Sequence, residues 1–92
     1  MDKMLLKVSG ATDVGKLAGS ISKNLDEGKF VEMIAIGASA NNQAVKALAT
    51  AGGHAGSKNK GLIIGIGFTQ TEVWNGSAAE TRTAMRYSVE YE

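Results

Sequence analysis

Segments with helix-like hydrophobic spacing alternate along this chain with segments that have strand-like spacing, and their order limits the folds available to it. In the first helix-like segment Val14, Leu17 and Ile21 recur at intervals of three and four residues, which is the spacing of one helix face. The flanking segments either alternate apolar and polar residues or are almost continuously apolar, as strands are. The pattern predicts strands at 4–9, 30–37, 62–71 and from 81 onward, and helices at 14–25 and 40–51.

The predicted order of elements is therefore βαβαββ. Right-handed crossovers place both helices on the same face of a four-stranded mixed sheet, in which the fourth strand runs antiparallel to the third. The predicted fold class is a two-layer α/β domain that spans residues 1–92 and leaves one sheet face open. One face of the third strand is apolar and carries Leu62, Ile64, Ile66 and Phe68. Its other face is nearly flat and carries Gly65, Gly67, Thr69 and Thr71.

Capping and turn residues predict where the first helix and the last hairpin begin and end. Thr12 or Asp13 is the N-cap of the first helix, and Gly28 lies just after its last turn. Asn75 and Gly76 predict a hairpin between the last two strands. The polar residues that follow them favour a loop longer than two residues.

The second helix is predicted from its alanines. Ser39 and Asn42 are its predicted caps, and the glycine pair at 52–53 is its predicted end. The segment 52–61 is rich in glycine, lysine and polar residues, so we predict a mobile loop there.

Composition limits the chemistry of the chain. It has 92 residues, no cysteine and one histidine, His54, which excludes a thiol nucleophile and argues against zinc or iron–sulfur sites. We predict no metal and no cofactor.

The net charge of +1 divides into a basic segment over residues 1–60 and an acidic one over 61–92. This balance argues against non-specific coating of DNA and allows only a modest basic face.

Location and assembly are predicted from hydropathy and size. No apolar run reaches the roughly 18 residues that a membrane span needs, and the first nine residues lack the apolar segment of a secretory signal. We therefore expect a cytoplasmic protein with no membrane contact. A chain this small buries a limited fraction of its surface, and its open sheet face and alanine-rich helix leave apolar surface to cover, so we expect a homodimer.

Residues 10–16 match the first seven positions of a phosphate-binding P-loop, from Gly10 to Lys16. The eighth position is Leu17, where a P-loop has the Ser or Thr that binds magnesium. No strand supplies an acidic residue for the metal either. We therefore expect no nucleotide hydrolysis, although a glycine-rich turn before a helix remains a candidate anion site.

Other residues are candidates for ligand contact. The segment 37–43 places small residues and three amides before or within a helix, which suits a phosphate or a base edge as well as simple capping. Arg82 and Arg86 share a strand face and, with Lys7, are predicted on the open side of the sheet. Trp74 near the hairpin either stacks on a base or packs under the loop. His54 is predicted to be an exposed loop residue.

Three blocks of the sequence resemble the stage V sporulation protein S family. They are Leu6-Lys7-Val8-Ser9, the stretch from Ala35-Ile36-Gly37-Ala38 to Asn42-Gln43-Ala44-Val45-Lys46-Ala47, and Arg82-Thr83-Ala84. The resemblance implies an Alba-like domain, which agrees with the order of elements above. It also implies a dimeric binder of DNA or RNA that regulates septation and spore coat assembly. Here the hairpin loop is longer than is usual in the family, and proline is absent.

Carried over by residue, the resemblance implies a nucleic-acid surface formed by the end of the first strand, the start of the first helix and the second helix. Its members are Lys7, Ser9, Lys16, Asn42, Gln43 and Lys46, to which the sheet-face arginines Arg82 and Arg86 are added. Gln43 stands where many Alba proteins carry a basic residue, so weak to moderate or more selective binding is expected.

The leading hypothesis is thus a non-enzymatic, nucleic-acid-binding regulatory protein of sporulation. The main alternative is a protein–protein interaction module on the same scaffold. A more distant one is a nucleotide-binding enzyme that uses the loop from Gly10 to Lys16.

Overall fold

The computed structural model describes residues 2–92 and contains the predicted elements in the predicted order. They are β1 (Lys3–Val8), α1 (Val14–Asp26), β2 (Phe30–Ala35), α2 (Gly37–Gly56), β3 (Leu62–Trp74) and β4 (Ala79–Tyr91). Met1, the first residue of the predicted domain, lies outside the described residues. The two-layer α/β fold class is confirmed.

The four strands form one mixed sheet in the order β1-β2-β4-β3. β1 and β2 are parallel, with Val8 opposite Ala35, whereas β4 is antiparallel to both of its neighbours. Because β1 and β2 are parallel, both end at the same edge of the sheet. The turns that lead from them to the two helices therefore lie side by side, and we call this region the loop edge (residues 9–13 and 36–39).

The core lies between the two helices and one face of the sheet. Val31 and Met33 of β2 and Val89 of β4 are fully buried against Ile21 of α1 and Ala44 of α2. Their neighbours in the strands point to the other face, since side chains alternate along a strand. The helices contact each other and cover β1, β2 and β4, which leaves the second face of the sheet open as predicted.

The ends of α1 follow the predicted capping. The Asp13 carboxylate accepts a hydrogen bond from the Lys16 N–H at 2.8 Å, so Asp13 is the N-cap. After the last turn Gly28 has a φ of +80°, a left-handed conformation that glycine adopts without strain.

The predicted bounds of α2 are wrong at both ends. Its N-cap is Ile36, whose side chain makes no capping hydrogen bond, and Ser39 lies inside the helix rather than before it. At the other end the helix continues through the glycine pair to Gly56, so the first half of the predicted mobile loop is helical. Buried Ala51 and Ala55 explain the extension, because packing of one helix face outweighs the low helix propensity of glycine.

The hairpin of β3 and β4 extends beyond the rest of the sheet. β2 pairs with β4 only from Met85 to Val89, whereas β3 and β4 pair up to Trp74 and Ala79. Residues 69–84 therefore form a two-stranded arm. Each of its strands contributes six residues, which gives a length of about 20 Å. The loop at its end holds four residues and is longer than a two-residue turn, as predicted. In it the Asn75 side chain accepts hydrogen bonds from the N–H groups of Ser77 and Ala78.

The two faces of β3 differ as predicted. On the flat face, side chains of β4 lie close over the glycines: a Cβ on Gly65 would come within 2.5 Å of the Ser88 hydroxyl. On the other face the helices do not reach β3, and its apolar side chains remain in solvent. Ile66 is 65% exposed and Phe68 is 75% exposed. With Ile64 they form what we call the β3 row.

Candidate nucleic-acid interface

The loop edge brings together two turns that lie far apart in the sequence. An added Cβ at Gly10 would meet the Cβ of Ser39 at 2.9 Å, so the two turns are in direct contact. Ligands of open α/β sheets bind beyond the carboxyl ends of parallel strands, because loops and helix N-termini converge there. Of the predicted binding residues, Ser9 belongs to this edge, Lys16 to the first turn of α1, and Asn42 and Gln43 to the second turn of α2.

Ser9, a predicted binding residue, stabilises the turn between β1 and α1. Its N–H donates to the Thr12 hydroxyl at 2.8 Å, and its own hydroxyl accepts from the Ala11 N–H at 3.2 Å. The Thr12 N–H donates in turn to the Ser9 carbonyl at 3.1 Å. The Ser9 hydroxyl is thus already used within the turn.

The carboxylate of Asp13 occupies the position where the sequence suggested an anion. It accepts the Lys16 N–H at the start of α1, which is one of the N–H groups that a phosphate bound at this helix N-terminus would use. A second negative charge at this site would be repelled by the first. The candidate anion site in the turn from Gly10 to Lys16 is therefore not supported by the structure.

The three amides of α2 have different roles. Asn41, one of the three predicted amides but not one of the predicted binding residues, donates to the Gly37 carbonyl at 2.8 Å and accepts from the Tyr87 hydroxyl at 2.7 Å. Asn41 therefore links the start of α2 to β4. Burial raises the pKa of the Tyr87 phenol above its ordinary value. Gln43 donates to the Thr12 carbonyl at 2.8 Å and joins the two turns. Asn42 is exposed and does not cap the helix.

Gln43 is thus a structural residue as well as a candidate ligand contact. The sequence around Gln43 does not predict its hydrogen bond to Thr12, because the two residues are 31 positions apart. The hydrogen bond between Asn41 and Tyr87 is also unpredictable from local sequence, because these residues are 46 positions apart. Such long-range bonds depend on how the strands are ordered in the sheet, which the sequence pattern does not specify.

Three predicted lysines are exposed and are not held in ion pairs. Among residues 2–92 no carboxylate lies within 4.0 Å of the amines of Lys7, Lys16 or Lys46. They do not form one cluster. Lys7 lies on the open face of the sheet, since its neighbours Leu6 and Val8 face the helices, whereas Lys16 and Lys46 lie on the helix layer.

The two predicted arginines differ from these lysines because each has an acidic neighbour. Arg86 lies on the open face, as predicted, with its guanidinium 3.5 Å from the Glu32 carboxylate, which Lys3 also approaches at 3.7 Å. Arg82 lies on the arm, 3.9 Å from Glu80. Their charges are thus partly balanced within the chain, so we assign them less weight than the lysines.

The clearest pKa shifts lie at the other end of α1. Hydrogen bonds from Lys58 and then Tyr91 hold the pKa of the Asp26 carboxyl below its ordinary value, and the bond to Asp26 raises the pKa of Lys58. Burial is the first cause of the raised pKa of the Tyr91 phenol. This cluster joins the end of α1, the segment after α2 and the end of β4, and it has a structural role.

His54 lies in the last turn of α2 rather than in the loop that the sequence predicted. It is exposed, and its Nδ1 lies 3.3 Å from the Ser22 hydroxyl, a contact between the two helices. Within residues 2–92 no three side chains of the types that bind metals come together.

Comparison with known protein families matches this sequence over residues 4–92 to stage V sporulation protein S. The match covers almost the entire chain. The chain belongs to the stage V sporulation protein S family. Membership agrees with the blocks identified in the sequence and supports a sporulation-related role; the family is a regulatory one and is not known as an enzyme family. In the part of the chain that the structure describes, no helix is both long and apolar enough to cross a membrane.

Proposed function

We propose that this protein is a non-enzymatic regulator of sporulation that binds nucleic acid in the cytoplasm, with septation and spore coat assembly as its processes. The observation that carries the proposal is the set of unpaired lysines around the loop edge. Lys16 projects from the first turn of α1 and Lys46 from the third turn of α2, the two helices whose preceding turns meet there, and Lys7 precedes the same edge on β1. Exposed Asn42 adds a neutral hydrogen-bonding group to this surface.

The charge of this surface predicts the strength of binding. Each lysine that contacts a phosphate releases condensed counterions, which makes affinity fall with salt. Three lysines give a small number of such contacts, and the paired arginines add little to it. Binding is therefore expected to be weak to moderate and strongly salt-dependent, as suits a regulator rather than a protein that coats DNA.

The experiment that tests the proposal is a salt titration of binding to short DNA and RNA. Lys16→Ala is expected to weaken binding to all sequences alike and to reduce the slope of log affinity against log salt by about one unit. Lys23→Ala is the matched control, because Lys23 is an exposed lysine in the last turn of α1, far from the loop edge. Equal slopes for both variants and the unmodified protein would contradict the assignment.

The non-enzymatic part of the proposal is tested separately. With magnesium present, ATP and GTP turnover is expected to stay at background. Turnover that disappears in Lys16→Ala would instead establish the P-loop interpretation of residues 10–16.

A second observation, the exposed β3 row, supports protein–protein contact, and we propose that the partner is a second copy of this chain. β3 is at the end of the sheet, so within residues 2–92 the backbone groups of its outer edge have no neighbouring strand. An exposed apolar edge of this length favours association with another chain.

The sequence of β3 suits pairing with itself. No charged residue occurs between Leu62 and Thr71, so two antiparallel copies bring no like charges together. In an arrangement with two-fold symmetry around Ile66, Ile64 of one copy lies opposite Phe68 of the other. The row is then complementary to itself, as an isologous dimer interface requires.

A further inference from the structure

A cavity of about 300 Å³ lies between the arm and the open face of the sheet. On the sheet side it is lined by Lys7 of β1, Ile34 of β2 and the adjoining Ile36. On the arm side it is lined by residues 71–74. The arm therefore bends over the open face, and the cavity is the space that remains beneath it.

The lining of this cavity combines an apolar surface with few polar groups. Ile34, Ile36 and Val73 provide aliphatic walls, and the indole of Trp74 is 69% exposed beside them. Such a combination of apolar walls and a small number of polar groups is typical of ligand pockets. An indole that is left in solvent next to it is available for stacking.

The charged groups of the cavity differ in sign and come from opposite sides. The Lys7 amine has no carboxylate within 4.0 Å among residues 2–92, so it is available to an anion. Glu72 is the acidic residue of the lining and belongs to the arm side, opposite Lys7. A ligand that suits both has an anionic group near the sheet and a neutral ring with N–H donors near the arm.

We propose that this cavity holds one unpaired base of a single-stranded nucleic acid, stacked on Trp74, with the adjoining phosphate at Lys7. The inference rests on the proposed function and gives it a specific subsite. The cavity volume is at the lower limit of ligand pockets, about 300–1,000 Å³, which suits a single base. Aromatic side chains stack on the faces of unpaired bases, whereas the bases of a duplex are stacked inside it and cannot enter.

Intrinsic fluorescence tests the proposal directly, because Trp74 is the only tryptophan of the chain. Short single-stranded oligonucleotides, as DNA and as RNA, are expected to quench it in a saturable way. An abasic oligomer of the same length and charge is the matched control, since it has phosphates for the lysines and no base for the cavity. The abasic oligomer and a duplex are expected to leave the emission unchanged.

Variants separate stacking from charge. Trp74→Leu is expected to weaken binding of the single strand by roughly five- to one-hundred-fold, the usual value of one base–aromatic stack, and to leave binding of the abasic oligomer unchanged. Trp74→Phe retains an aromatic face and is expected to restore most of the affinity. Lys7→Gln is expected to weaken both oligomers, whereas Lys3→Gln, four residues earlier on the same strand face and outside the cavity, is the control.

The outcomes distinguish this proposal from the proposed function. If no oligomer binds at any salt concentration, nucleic-acid binding is wrong and the subsite with it. If single strands bind with a salt-dependent affinity while Trp74 emission and Trp74→Leu affinity do not change, the subsite alone is wrong. Equal quenching by the abasic oligomer would also contradict it. Circular dichroism of each variant checks the fold, and the comparison of Trp74 quenching by the single strand and by the abasic oligomer in the unmodified protein tests the subsite if Trp74→Leu fails to fold.

Discussion

Gly10 and Ser39 lie in the two turns that meet at the loop edge, and the contact between them leaves no space for a second side chain. A Cβ at Gly10 would be 2.9 Å from the Cβ of Ser39, and neither atom can rotate away. Gly10→Ala is therefore expected to separate the turns and to lower the free energy of unfolding by about 1–3 kcal/mol, the usual cost of overpacking. Chemical denaturation measures this change.

Two further variants show whether the contact with Ser39 is the cause. Ser39→Gly removes the opposing Cβ, so Gly10→Ala is expected to cost much less in that background, which a double-mutant cycle measures. Gly19→Ala is the control for the glycine-to-alanine change itself. No atom of residues 2–92 outside its own helical turn lies within 4 Å of its Cβ position in α1, so it is expected to stabilise the protein. An equal loss at Gly10 in both backgrounds would contradict the explanation.

The ion pair of Asp26 with Lys58 makes a contribution to stability that depends on pH. The pKa of Asp26 is lower in the folded chain than its ordinary value near 3.8. Its contribution is therefore complete above that value and is lost as the pH falls through the lower, folded-state pKa. Asp26→Asn is expected to lower the melting temperature slightly at neutral pH and to have no effect at strongly acid pH.

The effect of Asp26→Asn is expected to be small because Asp26 and Lys58 are both exposed. Glu90→Gln is a suitable control, since Glu90 is an exposed carboxylate with no partner within 4.0 Å among residues 2–92. A difference between Asp26→Asn and the unmodified protein that persists at the lowest pH would contradict the role of the ionised carboxylate.

At the scale of elements, the sequence predicts what local patterns determine. The alternating residues of the strands and the cap at Asp13 predict the order of elements and the start of α1, because these signals come from neighbouring residues. The bounds of α2 were predicted wrongly because its first turn lacks a side-chain cap, and because Ala51 and Ala55 hold the glycine-rich end by tertiary packing. Neither cause is visible in a local pattern.

The same distinction applies to the candidate interface. The sequence predicted that Lys7, Lys16 and Lys46 lie on the surface, and all three are exposed. This prediction requires only the local pattern that shows which face of a strand or helix is exposed. The internal roles of Ser9 and Gln43 were missed. Both depend on a turn or a contact between turns whose donors and acceptors are fixed only by the fold.

The glycine-rich end of α2 gives a prediction at this scale. Gly52 and Gly53 are helical, and in the part of the chain that the structure describes no atom outside the local helix lies within 4 Å of a Cβ at either position. Gly53→Ala is therefore expected to raise the free energy of unfolding by about 0.5–1 kcal/mol, the difference in helix propensity between the two residues. The matched control is Gly76→Ala in the hairpin loop, where a φ of +96° makes alanine unfavourable. Destabilisation by Gly53→Ala would mean that the segment is not helical in solution.

At the scale of the whole molecule, the helix layer is narrower than the sheet. The molecule measures 48 × 26 × 19 Å because the arm continues β3 and β4 past the other strands. The helices cover β1, β2 and β4, and the β3 row is left outside the core. The alternation of apolar residues in β3 predicts that one face of the strand is buried. The pattern does not show whether the residues that bury it belong to the same chain or to another.

A second copy that covers the β3 row gives the last prediction. Phe68→Lys is expected to dissociate the dimer, because pairing around Ile66 would bury the lysine of each copy against Ile64 of the other with no opposite charge beside it, which costs several kcal/mol. Since Phe68 is 75% exposed, the variant is expected to fold as a monomer, with an unchanged circular dichroism spectrum. Val45→Lys is the matched control on the exposed side of α2, the helix that the sequence suggested as an interface. Sedimentation equilibrium over a range of concentrations measures both. A dimer that survives Phe68→Lys and dissociates in Val45→Lys would move the interface to α2, and a monomeric unmodified protein at high concentration would contradict pairing of the β3 row altogether.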